Sequence, residues 1–553
     1  MKQVYESGPT FLLLCFEIHM ELRNNNTRAY MPLIYALLLV FGLLLGFIVA
    51  QVSANKRQPL LQTGHYDKLE DILAFIKARY VDTVNTTQLT DEAIEKLLST
   101  LDPHSTYIPA REISSVNESL EGNFDGIGVE FFIVQDTIHV VSAVAGGPAE
   151  LVGVQAGDRI ITIEDTIVAG KHIKNDEVLH KLRGKGGSKV RVGILRAGDS
   201  ALKSVTITRD KIPLYSMDAA YMMGEGIGYI KINRFSETTS REFRKKLREL
   251  NEKGLKQLII DLRQNPGGYL NAATEMLDEL IAGEKLLVYT KGNAVNKMEY
   301  RSGLPGEFER GSLAVLIDQG SASAAEIVSG AVQDLDRGVV VGRTSFGKGL
   351  VQEQYPLQDG SALRLTVARY YTPSGRCIQR SYKGGNEDYF NEVYERYNKG
   401  EFVHEDTLSA ADTTVYHTAN GRKVYGGGGI RPDVFVPLDT SEDYDYVFKI
   451  RLLIPEVVYG YFSAHPDQLK PYSDPAAFNR GFVVPDELLH LLMAQAEKAH
   501  VKGNLAKAGR SNAIINQYVK AYMAKQKWRT DGFYYVLNEG DPVITAALKS
   551  FGK

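Results

Sequence analysis

Two cysteines in 553 residues, Cys15 and Cys377, give this chain no disulfide framework. The long stretch after residue 50 holds Cys377 alone, so no intrachain disulfide can form there. A nucleophilic role for that thiol would call for a paired histidine, and none of the eleven histidines sits in such a motif. A buried structural thiol is expected instead. Leu13-Leu14-Cys15 lacks the small residue that a lipid-attachment signal places before its cysteine. No His/Cys/Asp/Glu cluster has metal-ligand spacing, so neither metal nor other cofactor is expected. The charge is nearly balanced at -3, with no basic excess to attract nucleic acid. At 44% hydrophobic and 24% charged, the composition is that of a soluble globular chain long enough for several domains.

One stretch breaks that pattern. Residues 31–50 form an unbroken apolar run of the ~20 residues needed to cross a bilayer as a helix. Arg23 and Arg28 precede it, which places residues 1–30 in the cytoplasm and the rest outside. The alternative is a cleaved signal peptide with Val52-Ser-Ala54 as its cleavage site. The run exceeds the usual ~7–15 residue signal core, so a retained membrane anchor is the expectation. Met20 is a candidate alternative start.

The chemistry concentrates in two glycine-flanked segments. Gly320-Ser-Ala-Ser-Ala-Ala-Glu326 sets serines among residues too small to obstruct them, and Ser345-Phe-Gly-Lys-Gly349 clasps Lys348 between two glycines. A serine and a lysine can hydrolyse an amide without histidine if the amine is held neutral. A free lysine titrates near ~10.4, so a base working near pH 7 must be lowered by roughly 3, at a cost of about 4 kcal/mol. Phe346, Leu350 and Val351 offer the dry surroundings that would do this. Chemistry alone does not choose between Ser321 and Ser323. Ser323-Ala-Ala-Glu326 also reads as a helix capping box, compatible with a nucleophile at a helix start. Gly342-Arg-Thr-Ser-Phe-Gly-Lys348 imitates a phosphate-binding loop, but the next residue is Gly349 rather than Ser or Thr. Leu350 to Leu357 is also strand-like, so a nucleotide site is rejected.

These segments, with Gln333-Asp334 and Val340 to Gln352, resemble the catalytic core of the C-terminal processing (tail-specific) serine peptidases, and the likeness runs from about Leu69 to Pro437. The resemblance implies that Ser323 is the nucleophile, Lys348 the general base and Gln352 the residue that orients the amine. It gives Asp334 a role in supporting the fold, and it places Ala325 where relatives often carry serine. Asp261-Leu-Arg-Gln-Asn-Pro-Gly-Gly268 reads as a tight strand-to-helix turn. By resemblance, Gly267 or Gly268 supplies one oxyanion-hole N–H and Ala324 the other.

The implied fold class is α/β and multidomain: an N-terminal transmembrane helix, a helical segment over 66–117, a PDZ domain over 122–212, a peptidase core over 213–437 and a helical C-terminal extension over 439–553. Apolar residues from Leu69 to Tyr80 and from Ile94 to Leu98 recur near helical spacing. Leu101-Asp-Pro-His-Ser-Thr-Tyr-Ile108 breaks the pattern, and His104 is read there as part of a fixed turn rather than as catalytic. Gly126-Ile-Gly-Val-Glu-Phe131, Ala145 to Ala149 and Val154 to Ile160 follow one another as in a PDZ domain. Gly126, Ile127, Gly128 and Val129 are then the peptide-binding residues, gripping a terminal carboxylate through backbone N–H groups. Ile127, Val129 and Phe131 predict an apolar groove, and Asp176 to Leu182 its lining helix. From Met223 the chain alternates strand and helix, and residues 383–423 read as an insertion.

Two functions follow from different classes. One is a serine endopeptidase anchored in the bacterial inner membrane, acting in the periplasm on proteins with accessible C-terminal tails. The other is a non-catalytic PDZ adaptor on a peptidase scaffold. The intact Ser323, Lys348 and Gln352 favour the enzyme. Homo-oligomerisation is left open.

Overall fold

Leu258-Ile-Ile260, Leu313 to Ile317 and Val339 to Val341 are apolar runs of the kind that strands covered on both faces require. In the computed structural model, which describes residues 35–42, 67–196, 198–303, 305–405, 414–441, 443–503 and 508–552, they lie within one six-stranded sheet. The chain divides into two units, Met1–Thr90 and Asp91–Lys553.

In the first unit, residues 35–42 are helical and exposed, and α1 (Asp67–Arg79) is a second helix. The remainder of the apolar run over 31–50, the Val52-Ser-Ala54 site, Met20 and Cys15 lie outside the described residues. Among the described residues no helix is long and apolar enough to cross a membrane. Helix α2 (Thr86–Leu98) begins in this unit and continues into the second.

In the second unit, β1 (Thr106–Ile108) and α3 (Ile113–Glu121) lead to Gly122, whose φ of 74° ends the helix. A β-rich module follows, built from β2 (Asn123–Gly126), β3 (Val129–Val134), β4 (Thr137–Ala143), α4 (Pro148–Leu151), β5 (Arg159–Ile163), β6 (Thr166–Ile167), α5 (Asn175–Leu182), β7 (Lys189–Leu195), β8 (Lys203–Thr208) and β9 (Asp210–Pro213). β2 pairs with β9 where the chain enters and leaves. The main sheet runs β3-β4-β5-β7-β8, which puts β3 at an edge. Ile138, Val140, Ile160, Val178, Val190 and Val192 fill its core.

The α/β domain contains β10 (Met217–Gly224), β11 (Ile227–Ile232), α6 (Thr239–Asn251), β12 (Gln257–Asp261), α7 (Leu270–Asp278), β13 (Leu286–Lys291), β14 (Met298–Arg301), β15 (Ser312–Ile317), α8 (Ala324–Asp334), β16 (Val339–Gly342), β17 (Leu350–Pro356), β18 (Ala362–Tyr371), α9 (Asn386–Asn398), β19 (Val415–His417), β20 (Lys423–Tyr425) and β21 (Val434–Phe435). The large sheet has the order β10-β11-β12-β15-β16-β21, parallel except for the β10–β11 pair. Alternate residues face opposite sides. Ile230, Ile260, Val315 and Val340 join a core with α6, α7 and α8, while Tyr229, Ile259, Leu316 and Val341 face the other way. A smaller sheet has the order β1-β18-β13-β14, with β17 hairpinned onto β18.

The C-terminal extension is α10 (Tyr444–Ala464), α11 (Pro475–Gly481), α12 (Asp486–Lys498), α13 (Ala508–Leu537) and α14 (Pro542–Ser550). Ile450, Ile454, Phe478, Leu488, Val519 and Met523 form its interior. Val543, Ile544 and Ala547 of α14 cover the second face of the large sheet.

Candidate active site

Ser323 stands at the N-cap of α8, after the carboxyl end of β15, where parallel α/β sheets open their crevices. Its backbone has φ 54° and ψ -114°, a region that costs a non-glycine residue of the order of 1–3 kcal/mol. Ser323 also lines a cleft of about 720 Å³, together with Gly268, Tyr269, Ile327, Gln352 and Tyr370. Ser321 is fully buried, its hydroxyl donating to the Leu262 carbonyl at 2.8 Å and accepting from the Asp318 N–H at 2.9 Å. Of the two serines that chemistry could not separate, only Ser323 is presented to the cleft.

Glu326 does more than cap the helix. Its carboxylate is fully buried, and Oε2 accepts from the backbone N–H groups of Ser323 at 2.8 Å and Lys348 at 2.9 Å. Oε1 accepts from the Ser345 hydroxyl at 2.6 Å and the Gly347 N–H at 2.7 Å. One side chain therefore ties together the two loops that carry serine and lysine. Burial raises the Glu326 pKa, and these four donors oppose the shift. The Ser-x-x-Glu spacing signalled the cap; the link to residues 345–348 had no local signature.

Lys348 lies between β16 and β17, and strand β17 directly after Gly349 removes the phosphate-loop reading. Burial, seconded by the Arg364 guanidinium, lowers the pKa of its amine, against smaller opposing effects from Glu326 and Asp102. Among the described residues no hydrogen bond joins Lys348 Nζ to Ser323 Oγ or to Gln352. The Gln352 amide on β17 donates to Thr366 Oγ1 at 3.3 Å, and Thr366 donates to Asp102 Oδ1 at 3.0 Å.

Asp102 organises the turn around His104. It accepts from the backbone N–H groups of His104 and Ser105 at 2.8 and 2.9 Å, and from the Ser105 hydroxyl at 2.5 Å. His104 Nε2 bonds the Tyr389 hydroxyl at 3.0 Å. Burial, then the neighbouring Lys348, lowers its pKa from 6.5 to about 4, so the ring is neutral at pH 7. Tyr389 belongs to α9, which thereby reaches the site. From the same helix, Arg396 donates to the Ser345 carbonyl at 3.1 Å. Asp334 forms a buried ion pair with Arg376 at 2.7 Å, a contact that holds the fold.

The oxyanion candidates separate. The Gly267 N–H is engaged by Asn265 Oδ1 at 2.8 Å. Gly268 and Ala324 have no acceptor for their N–H groups among the described residues, and Gly268 lines the cleft. Both glycines are sterically required. A Cβ on Gly267 (φ 96°) would lie 2.7 Å from Ser323 Cβ, and one on Gly268 (φ 146°) only 1.9 Å from the Phe235 carbonyl oxygen.

In the β-rich module, Ile127 is 3% exposed and packs in the core, with Val129 and Phe131 half-buried against it. Gly126 is paired within β2, and Gly128 takes φ 74°. The N–H groups of Ile127 and Gly128 have no protein acceptor among the described residues, and they lie beside the edge of β3.

Three segments of the chain match known families. Residues 226–389 match the model of peptidase family S41, residues 139–196 that of the PDZ domain, and residues 448–529 a family of unknown function (DUF8443). The chain is 39% identical to the carboxy-terminal processing protease CtpB of Bacillus subtilis (strain 168), over 60% of this chain and 69% of that protein. It is 33% identical to the carboxy-terminal-processing protease of Bartonella bacilliformis, over 72% of this chain and 90% of that one. Among solved structures, the photosystem II D1 C-terminal processing protease is 29% identical with a TM-score of 0.31, covering 55% of this chain and 82% of that one. The chain belongs to the carboxy-terminal processing serine proteases of peptidase family S41, with a PDZ domain ahead of the peptidase core. That membership sets the non-catalytic adaptor aside.

Proposed function

We propose that this protease is anchored in the bacterial inner membrane by the 31–50 run, works in the periplasm, and cleaves exported proteins that its PDZ domain takes by their C-terminal tails. Ser323 and Lys348 form its catalytic dyad. The observation that carries the dyad is the double grip of Glu326 Oε2 on the N–H groups of Ser323 and Lys348. It fixes both backbones to one carboxylate oxygen, so the loops that carry serine and lysine are tied together at a single point.

Lys348, whose amine pKa is lowered by burial, acts in its neutral form and takes the Ser323 proton as Oγ attacks the scissile carbonyl. The N–H groups of Gly268 and Ala324 stabilise the resulting oxyanion. The ammonium then gives its proton to the leaving amine, and a water molecule, deprotonated by the same lysine, releases the acyl group. Tail selection follows from the free N–H groups of Ile127 and Gly128, which suit a carboxylate, and from the edge of β3, which can take an added strand.

The test compares a substrate ending in a free carboxylate with its amidated twin, using wild type and Ser323→Ala. Wild type is expected to prefer the free carboxylate, and Ser323→Ala to lose at least about 10³-fold in kcat while keeping its fold. Equal kcat/KM for the twins would remove tail selection, and turnover by Ser323→Ala would remove the nucleophile.

A further inference from the structure

Among the described residues the C-terminal extension contributes none to the cleft, yet it grips two other domains at defined points. At the PDZ domain, Tyr459 of α10 is 5% exposed, and its hydroxyl donates to the Val140 carbonyl at 3.2 Å. Its ring packs 5.6 Å from Phe132 and 6.2 Å from His139, which are cross-strand partners on β3 and β4. Lys525 of α13 pairs with Glu130 of β3 at 3.0 Å. Glu130 and Phe132 alternate with Val129, Phe131 and Ile133, which pack on the PDZ core. The extension thus holds the back of the strand whose edge is open.

At the peptidase, Asp531 Oδ1 accepts from the Ala220 N–H of edge strand β10 at 2.9 Å. The Tyr534 hydroxyl donates to Asp218 at 3.1 Å, and the Asn538 amide to the Tyr221 hydroxyl at 2.9 Å. Asp541, the N-cap of α14, pairs with Arg263 at 2.8 Å, in the turn that continues to Gly268. Between the PDZ-facing Lys525 and the peptidase-facing Asp531, α13 is broken. Trp528 has φ -113° and ψ 16°, and Arg529 has φ 54° and ψ -147°. After the break, a Cβ on Gly532 would lie 2.7 Å from Trp528 Cβ. A non-glycine residue holds such a backbone only where its surroundings over-determine it, and here both flanking segments are fixed to different domains.

We infer that this domain, for which the matching family offers no function, is an internal brace: it fixes β3 of the PDZ domain relative to the peptidase sheet, so that a captured tail reaches Ser323 from one direction. The inference rests on the tail-binding reading for its effect on substrates, but its structural part does not.

The experiment uses the full chain, with spin labels at Thr166 of the PDZ domain and Lys245 of the peptidase after replacement of both native cysteines. Interdomain distances and turnover are measured for wild type, Tyr459→Ala, Lys525→Glu and the charge swap Lys525→Glu/Glu130→Lys. The distance distribution is expected to broaden in the two single variants and to narrow again in the swap. KM for a tailed substrate is expected to rise about tenfold in Tyr459→Ala, as effective concentration is lost, while turnover of a short untailed peptide stays within about twofold. An unchanged distribution, a swap that fails to restore it, or equal losses on both substrates would overturn the brace. If wild type does not distinguish tailed from amidated substrate, tail binding falls, and the distances alone decide the brace.

Discussion

In the peptidase core, buried polar groups converge on the loops that carry Ser323 and Lys348, whereas the C-terminal helices pack around a mainly apolar interior and set several polar groups against other domains. Glu326 takes four donors from two loops of the core, and Arg396 of α9 reaches the carbonyl of Ser345. In the extension, Phe478, Leu488 and Val519 pack together while Lys525, Asp531, Tyr534 and Asp541 bond residues of the PDZ domain or the peptidase. A network of buried acceptors specifies where a few atoms sit; an apolar bundle with polar outer contacts specifies where whole domains sit. Substitutions in the first region should therefore damage kcat, and in the second stability or KM.

The largest contrast is expected from Gly268→Ala. The new Cβ would overlap the Phe235 carbonyl, displacing an N–H assigned to the oxyanion, so kcat should fall by about 10²–10³. Retention of wild-type kcat in a folded Gly268→Ala protein would move the oxyanion hole elsewhere. Gln352→Ala is expected to cost less, about tenfold in kcat, because the amide exchanges no proton and acts through Thr366 and Asp102. A larger loss than that of Gly268→Ala would give Gln352 a direct part in the chemistry. Asp541→Asn should be smallest. Asparagine caps a helix as well as aspartate does, so only the charge facing Arg263 is lost, lowering stability by about 1 kcal/mol in denaturant titration. A kcat loss without a stability change would blur the distinction between the two regions.

Much of the core was legible because its chemistry is local. The Ser-x-x-Glu cap is local, as are the glycines around Lys348 and the strand after them, and the strand-helix alternation read from Met223 onward is present as β11, α6 and β12. The choice between Ser321 and Ser323 was not legible from chemistry. It depends on Ser321 being tied to the Leu262 carbonyl across a turn 59 residues away in sequence. The same holds for the two glycines, separated by the side chain of Asn265 rather than by anything in the Gly-Gly pair. His104 could be read as part of a turn, but its partner Tyr389 is 285 residues away. Helix periodicity announced the extension without its contacts. Tyr459 and Lys525 are ordinary helix residues until β3 is packed against them.

The central claim is that a buried, neutral Lys348 activates Ser323. Its most direct test is the rate at which a serine-directed fluorophosphonate labels the protein across pH, in wild type and in Lys348→Arg. Because burial lowers the Lys348 pKa, wild-type labelling at Ser323 should rise with pH through one ionisation below the ordinary 10.5 and then level off. Lys348→Arg should remain unlabelled throughout, since a guanidinium keeps its proton. Labelling of Lys348→Arg at the wild-type rate would contradict the account.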